Sequence, residues 1–239
     1  MPASRRLAWR AMPLVGILAF WGGLGMAGWC YPAEFDWRYM TLSTLLSAPH
    51  NPVGHLWASL GIVLCGGSCG CWALGLAWQG DRGGPPWGLW ALGGGSLGMA
   101  WVGLLPRPLP GVRKGHELLT LVAVTAMCLG IVGLTAQLAS RKARHAGAGV
   151  AWPSRLVATA LASLAVLPIL LAGGAQAYVF FARPALPWVG LAWRTRGIPV
   201  YLSLALWEWA TCAVLSGYLL ILALALGCRG GRPWEADRG

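Results

Sequence analysis

Residues 31–55, YPAEFDWRYMTLSTLLSAPHNPVGH, separate two long apolar runs, and no other stretch between such runs mixes acids, histidines, hydroxyls and aromatics so fully. The flanking runs, residues 11–30 and 55–78, each supply the roughly 20 apolar residues that a helix needs to cross a hydrocarbon core about 30 Å thick. The stretch therefore reads as the outer link of a membrane hairpin. Within it Phe35, Tyr39, Leu42 and Leu46 recur at spacings of 4, 3 and 4, the period of one helical face, and Asp36 stands where it can cap the first turn. This pattern predicts a short helix lying in the membrane interface. Pro49 and Pro52 bracket His50 and Asn51, and a residue before proline is pushed out of the helical region, so the helix is expected to end near Ala48.

Working outward, four further runs reach spanning length: residues 87–105, 118–139, 156–181 and 198–227. The expected fold is all-α, a single polytopic bundle over residues 1–239 with six transmembrane helices. The third run, WGLWALGGGSLGMAWVGLL, is the weakest helix former because Gly93, Gly94 and Gly95 lower propensity, but lipid offers the backbone no other hydrogen-bond partner. Arg5, Arg6 and Arg10 before the first run also suit a secretory signal. Its length, its Trp29-Cys30-Tyr31 end and the poor cleavage site Gly25-Met26-Ala27 favour a retained span. With six spans, eleven Lys and Arg residues fall on the side of the termini and seven on the other, so the positive-inside rule makes the termini cytoplasmic. The expected location is a bacterial inner membrane.

Composition agrees with a membrane chain: 57% hydrophobic and 10% charged, with a mean hydropathy of +0.61. The net charge of +11 lies in loops between apolar runs rather than on one face of a polar domain, which argues against nucleic acid and for anionic lipid headgroups as its partner. Trp9, Trp29, Trp57, Trp78, Trp87, Trp152, Trp188 and Trp193 cluster near run ends, as an aromatic belt does. Small residues one turn apart, Gly61, Cys65 and Cys69, Gly66 and Gly70, and Gly94 and Gly98, predict close helix contacts within the bundle. The seven scattered cysteines make no disulfide framework, and Cys65 and Cys69 have no Asp or Glu on their span, whose one histidine, His55, stands at its far end, so no metal site is completed there. No phosphate-binding loop and no C-x-x-C-H haem attachment occur, so no cofactor and no metal is expected.

Polar groups able to carry chemistry gather on the outer side. Tyr31, Ser43, His50, Asn51, His116, Glu117 and Glu208 are the candidate ligand-binding residues, with Glu208, His116 and His50 the candidates for acid–base roles. Glu208 is the one carboxylate inside an apolar run, where an unpaired charge costs about 2.5–3.5 kcal/mol on insertion scales. Its relief is expected from residues 31–55 folding back over the outer mouth, bringing His50 or Asn51 near His116 and Glu208. Gln176, Ser203 and Thr211 offer the purely structural alternative. His116 and Glu117 are adjacent and so face different ways on a helix, and no H-E-x-x-H or G-x-S-x-G spacing supports metal or serine hydrolysis.

Tyr31-Pro32, Phe35-Asp36, Leu42-Ser43, Asn51-Pro52, Leu105-Pro106, His116 and an acid in the sixth run together resemble the six-span DUF998 membrane family, itself akin to the Frag1/DRAM/Sfk1 group. Where the family pattern leads one to expect Glu followed by Arg, this chain has Glu208-Trp209. The resemblance implies lipid handling. Three activities remain open: an accessory protein binding lipid or another membrane protein, an enzyme acting on a lipid headgroup, and a proton-coupled or small-solute carrier.

Overall fold

The computed structural model describes residues 3–79, 87–105, 110–146, 166–168, 170, 171, 174, 178 and 192–227. Its elements are α1 (Ala3–Trp29), α2 (Leu42–Leu45), α3 (His55–Gln79), α4 (Trp87–Leu104), α5 (Pro110–Ala146), α6 (Ala192–Thr195), a 3₁₀ turn (Val200–Leu202) and α7 (Leu204–Gly227). No strand occurs among the described residues. Four helical segments there are long and apolar enough to cross a membrane: Ala11–Trp29, His55–Trp78, Leu118–Gln137 and Leu204–Leu224. These make the chain an integral membrane protein. The third run is the helix α4, 18 residues long, but its glycines and tryptophans leave it outside that set. The fifth run lies mostly outside the described residues.

Packing follows chain order, α1 on α3, α3 on α4 and α4 on α5, with α7 resting on α1. Glycine sets the close approaches. A Cβ on Gly23 would stand 2.5 Å from the Trp57 carbonyl oxygen, one on Gly66 2.5 Å from that of Ser96, and one on Gly130 2.5 Å from the Leu92 nitrogen. Backbones brought this near gain the dispersion contacts that hold helices together where lipid removes the hydrophobic drive. Of the expected small-residue row on α4, Gly98 packs on α5, where its Cβ would stand 3.0 Å from that of Ala123. Among the described residues Gly94 meets nothing within 4 Å, whereas a Cβ on Gly95 would stand 2.6 Å from the Ala123 carbonyl oxygen.

Helix α7 is tied differently. Trp21 Nε1 donates to Ser216 Oγ at 3.2 Å, and the hydroxyls of Thr135 and Tyr218 lie 2.7 Å apart, linking α7 to α1 and to α5. The apolar core around Ile17, Trp72, Leu92, Ile131 and Leu219 fills the space between these helices.

The stretch between α1 and α3 departs from the expected helix. Tyr39 N and Met40 N both donate to the Asp36 carbonyl, at 3.0 and 2.8 Å, closing one turn. Thr41 is then extended (φ −70°, ψ 159°), and a second turn, α2, begins at Leu42. A continuous helix would have carried its apolar stripe along one straight face. The break instead lets Leu42 and Leu45 drop into a cluster with Phe20, Leu24, Ala58 and Ile62 of α1 and α3.

Candidate functional site

Residues 30–55 form a cap over the ends of α1, α3 and α7, and five side chains hold it there. Asn51 is fully buried and joins three elements: its Nδ2 donates to the carbonyls of Ala27 (3.0 Å) and Leu45 (3.3 Å), and its Oδ1 accepts the Gly54 N–H at 3.0 Å. The two carbonyls belong to the last turns of α1 and α2, which have no partner inside their own helices. One amide therefore completes two helix ends and begins α3. Gly54 has no room for a Cβ, which would strike this amide and stand 2.6 Å from the Ala27 carbonyl oxygen.

On the α7 side, Leu42 N donates to Glu208 Oε2 at 3.2 Å and Trp209 Nε1 donates to the Met40 carbonyl at 3.0 Å. The intramembrane carboxylate thus meets the first backbone N–H of α2, where a helix end is electropositive. Trp209 also stacks in a chain of rings, 6.0 Å from Phe35 and 6.1 Å from Trp21, with Tyr31 5.7 Å from Phe35.

Asp36 and Tyr39 fasten the cap to the segment before α7. The Asp36 side chain is 3% exposed and bound by two guanidinium groups, Arg38 Nε at 2.8 Å on Oδ1 and Arg194 Nη1 at 3.2 Å on Oδ2. The hydrogen bond from Arg38 holds the Asp36 carboxyl below the usual carboxylate range, against burial, which acts in the opposite direction. Tyr39 Oη donates to the Ile198 carbonyl at 2.7 Å and packs over Trp193, which is 1% exposed. Trp193 is therefore a core side chain and not part of the headgroup belt. The chain reaches this position because α6 ends on Gly197 at φ 67°, with Gly197 N bonded to the Arg194 carbonyl and Ile198 N to that of Trp193. This is the glycine-terminated helix end in which only a residue without Cβ is unstrained.

The predicted site residues divide accordingly. Tyr31 is half-buried against Phe35, and burial pushes its hydroxyl pKa up. Ser43 lies on α2 with its hydroxyl 2.7 Å from that of Thr41, one residue from the Leu42 N–H that meets Glu208. His50 is exposed and bonded through Nδ1 to Ser47 Oγ at 2.8 Å. Asn51 spends its amide on backbone groups, as above. His116 is buried on α5, its carbonyl accepting the Thr120 hydroxyl at 2.8 Å. The Glu117 side chain and Gln176 lie outside the described residues. Of the other structural partners weighed for Glu208, Ser203 is buried and Thr211 donates to the Trp207 carbonyl at 2.7 Å.

Sequence reading missed Arg194, Trp193 and Ile198 as parts of this assembly. The one available signal was the Arg-Gly-Ile-Pro stretch at 196–199, which marks a glycine helix stop. Among the described residues no group of three or more His, Cys, Asp or Glu side chains is placed to hold a metal ion. Comparison with protein-family models, with curated proteins and with solved structures gives no match.

Proposed function

We propose that this chain is an accessory, lipid-associated protein of a bacterial inner membrane, with its termini cytoplasmic and its cap on the extracytoplasmic face. The observation that carries this reading is the division of polar groups in the cap. Asp36, Thr41 and Asn51 are buried, while Trp37 and, at the neighbouring helix ends, Trp29 and Tyr201 are exposed, and the side chains of Arg38 and Arg194 are half-exposed. Amphipathic rings and cations at the ends of spanning helices match the headgroup zone. Glu208, engaged by the amide of Leu42, serves here as the tie between cap and α7. Kinship with the DUF998 family belongs to the same proposal and is supported by the short motifs from Tyr31-Pro32 to Asn51-Pro52.

Lipid analysis of cells with and without the protein tests the reading. Lipid classes unchanged by its loss, together with lipid retained on the detergent-purified chain, are expected. A lipid class that disappears or accumulates would instead establish an enzyme acting on a headgroup.

A further inference from the structure

Arg38 and Arg194 share a single buried carboxylate. Arg38 grips Asp36 with two bonds, Nε to Oδ1 at 2.8 Å and Nη2 to Oδ2 at 3.1 Å, which by themselves satisfy a carboxylate side-on. Arg194 nevertheless comes to the same Oδ2, at 3.2 Å, and so brings a second cation against the first. Glu34 also approaches, 3.9 Å from Arg194 Nη1, and at 82% exposure it is a solvated partner whose attraction is largely screened. The two arginine side chains are 46% and 47% exposed, and Trp37, next to Arg38 in the chain, is exposed too.

We infer that Arg38 and Arg194 form a seat for the phosphodiester of an anionic phospholipid headgroup, with Asp36 as the positioning residue beneath them. Planar guanidinium groups match phosphate oxygens two at a time, and a phosphodiester brings a multidentate anion to two cations that share one buried carboxylate and otherwise have only the solvated Glu34. The fold delivers the two arginines from separate places, Arg38 from the first turn of the cap and Arg194 from α6. Tyr39 and Gly197 hold those two segments in register through the Ile198 carbonyl. A loop lock alone requires only one of the arginines. The exposed ring of Trp37 adds an interfacial surface on which the glycerol and upper acyl region can rest. This inference rests on the lipid-associated reading and gives it a headgroup class.

The full chain, purified in detergent, is mixed with equal amounts of phosphatidylglycerol and phosphatidylcholine of identical acyl chains, and retained lipid is counted by native mass spectrometry. Preferential retention of phosphatidylglycerol is expected, lowered about tenfold in Arg194→Gln by loss of a charged hydrogen bond. Glu34→Gln, which alters an exposed side chain only, is expected to raise retention by removing the competing acid. Excess inorganic phosphate separates the two phosphate sources: a headgroup seat keeps its lipid, because acyl contacts add to the phosphate contact, whereas a free-phosphate site gives it up. Retention of both lipids without preference would overturn the headgroup assignment while leaving lipid association standing. Retention of neither would overturn both, and equal retention by Arg194→Gln and the unaltered chain would remove the arginines from the site.

Discussion

Replacing Asn51 by alanine should be among the costliest single changes in the cap, and its size follows from the bonds lost. The side chain has no solvent exposure and makes three hydrogen bonds, at 3.0, 3.3 and 3.0 Å, to backbone groups of three different elements. A net hydrogen bond contributes about 1 kcal/mol, and carbonyls left buried without a donor add desolvation cost, so the loss should be about 3 kcal/mol or more. At roughly 2–4 °C per kcal/mol for a chain of this size, the unfolding midpoint should fall by about 6–12 °C. The measurement is thermal unfolding in detergent followed by size-exclusion of the remaining monodisperse fraction. Ser47→Ala is the control, since it removes only the exposed bond to His50 and should cost about 0.5 kcal/mol or less. Asn51→Asp keeps the acceptor for Gly54 but faces two carbonyls with an oxygen, and it should be no more stable than the alanine variant. If Asn51→Ala and Ser47→Ala melt together, the cap is not held as argued.

Glycine contrasts give a second test: Gly66→Ala, whose Cβ would stand 2.5 Å from a backbone oxygen, should destabilise by about 1–3 kcal/mol in the same assay, and Gly94→Ala, which meets none of the described residues within 4 Å, should not. Acid should loosen the cap through Asp36. Its pKa is lowered on folding, so its contribution is complete above the ordinary value of 3.8 and is lost as pH falls through the folded value. Tryptophan fluorescence of the cap should therefore be flat from neutral pH down to about 4 and change below it, and Asp36→Asn should abolish that change. Glu208→Gln keeps an oxygen that can accept the Leu42 N–H and should cost about 1 kcal/mol. Glu208→Leu leaves that amide without its carboxylate and should cost more, both measured by the same thermal assay.

What the sequence alone determined was the class of protein. Hydrophobicity is counted residue by residue along the chain, and runs of spanning length are legible without knowing any contact, as the segments Ala11–Trp29, His55–Trp78, Leu118–Gln137 and Leu204–Leu224 bear out. The special character of residues 31–55 and the isolation of Glu208 were legible for the same reason, since polar residues in apolar surroundings are conspicuous. The tertiary structure decided which groups meet. Glu208 is met by a backbone N–H 166 positions away, and Tyr39 by a backbone carbonyl 159 positions away, and backbone groups carry no residue-specific mark by which a sequence could reveal them. Helix rotation was equally hidden: neighbouring glycines 94 and 95 look alike in the sequence, yet only the fold determines that a Cβ on Gly95 would meet α5 while one on Gly94 would meet none of the described residues within 4 Å. The apolar stripe of the cap predicted one helix because periodicity registers only local spacing. Two separate turns formed instead because burying Leu42 and Leu45 against α1 and α3, with α2 aimed at Glu208, required the chain to bend at Thr41.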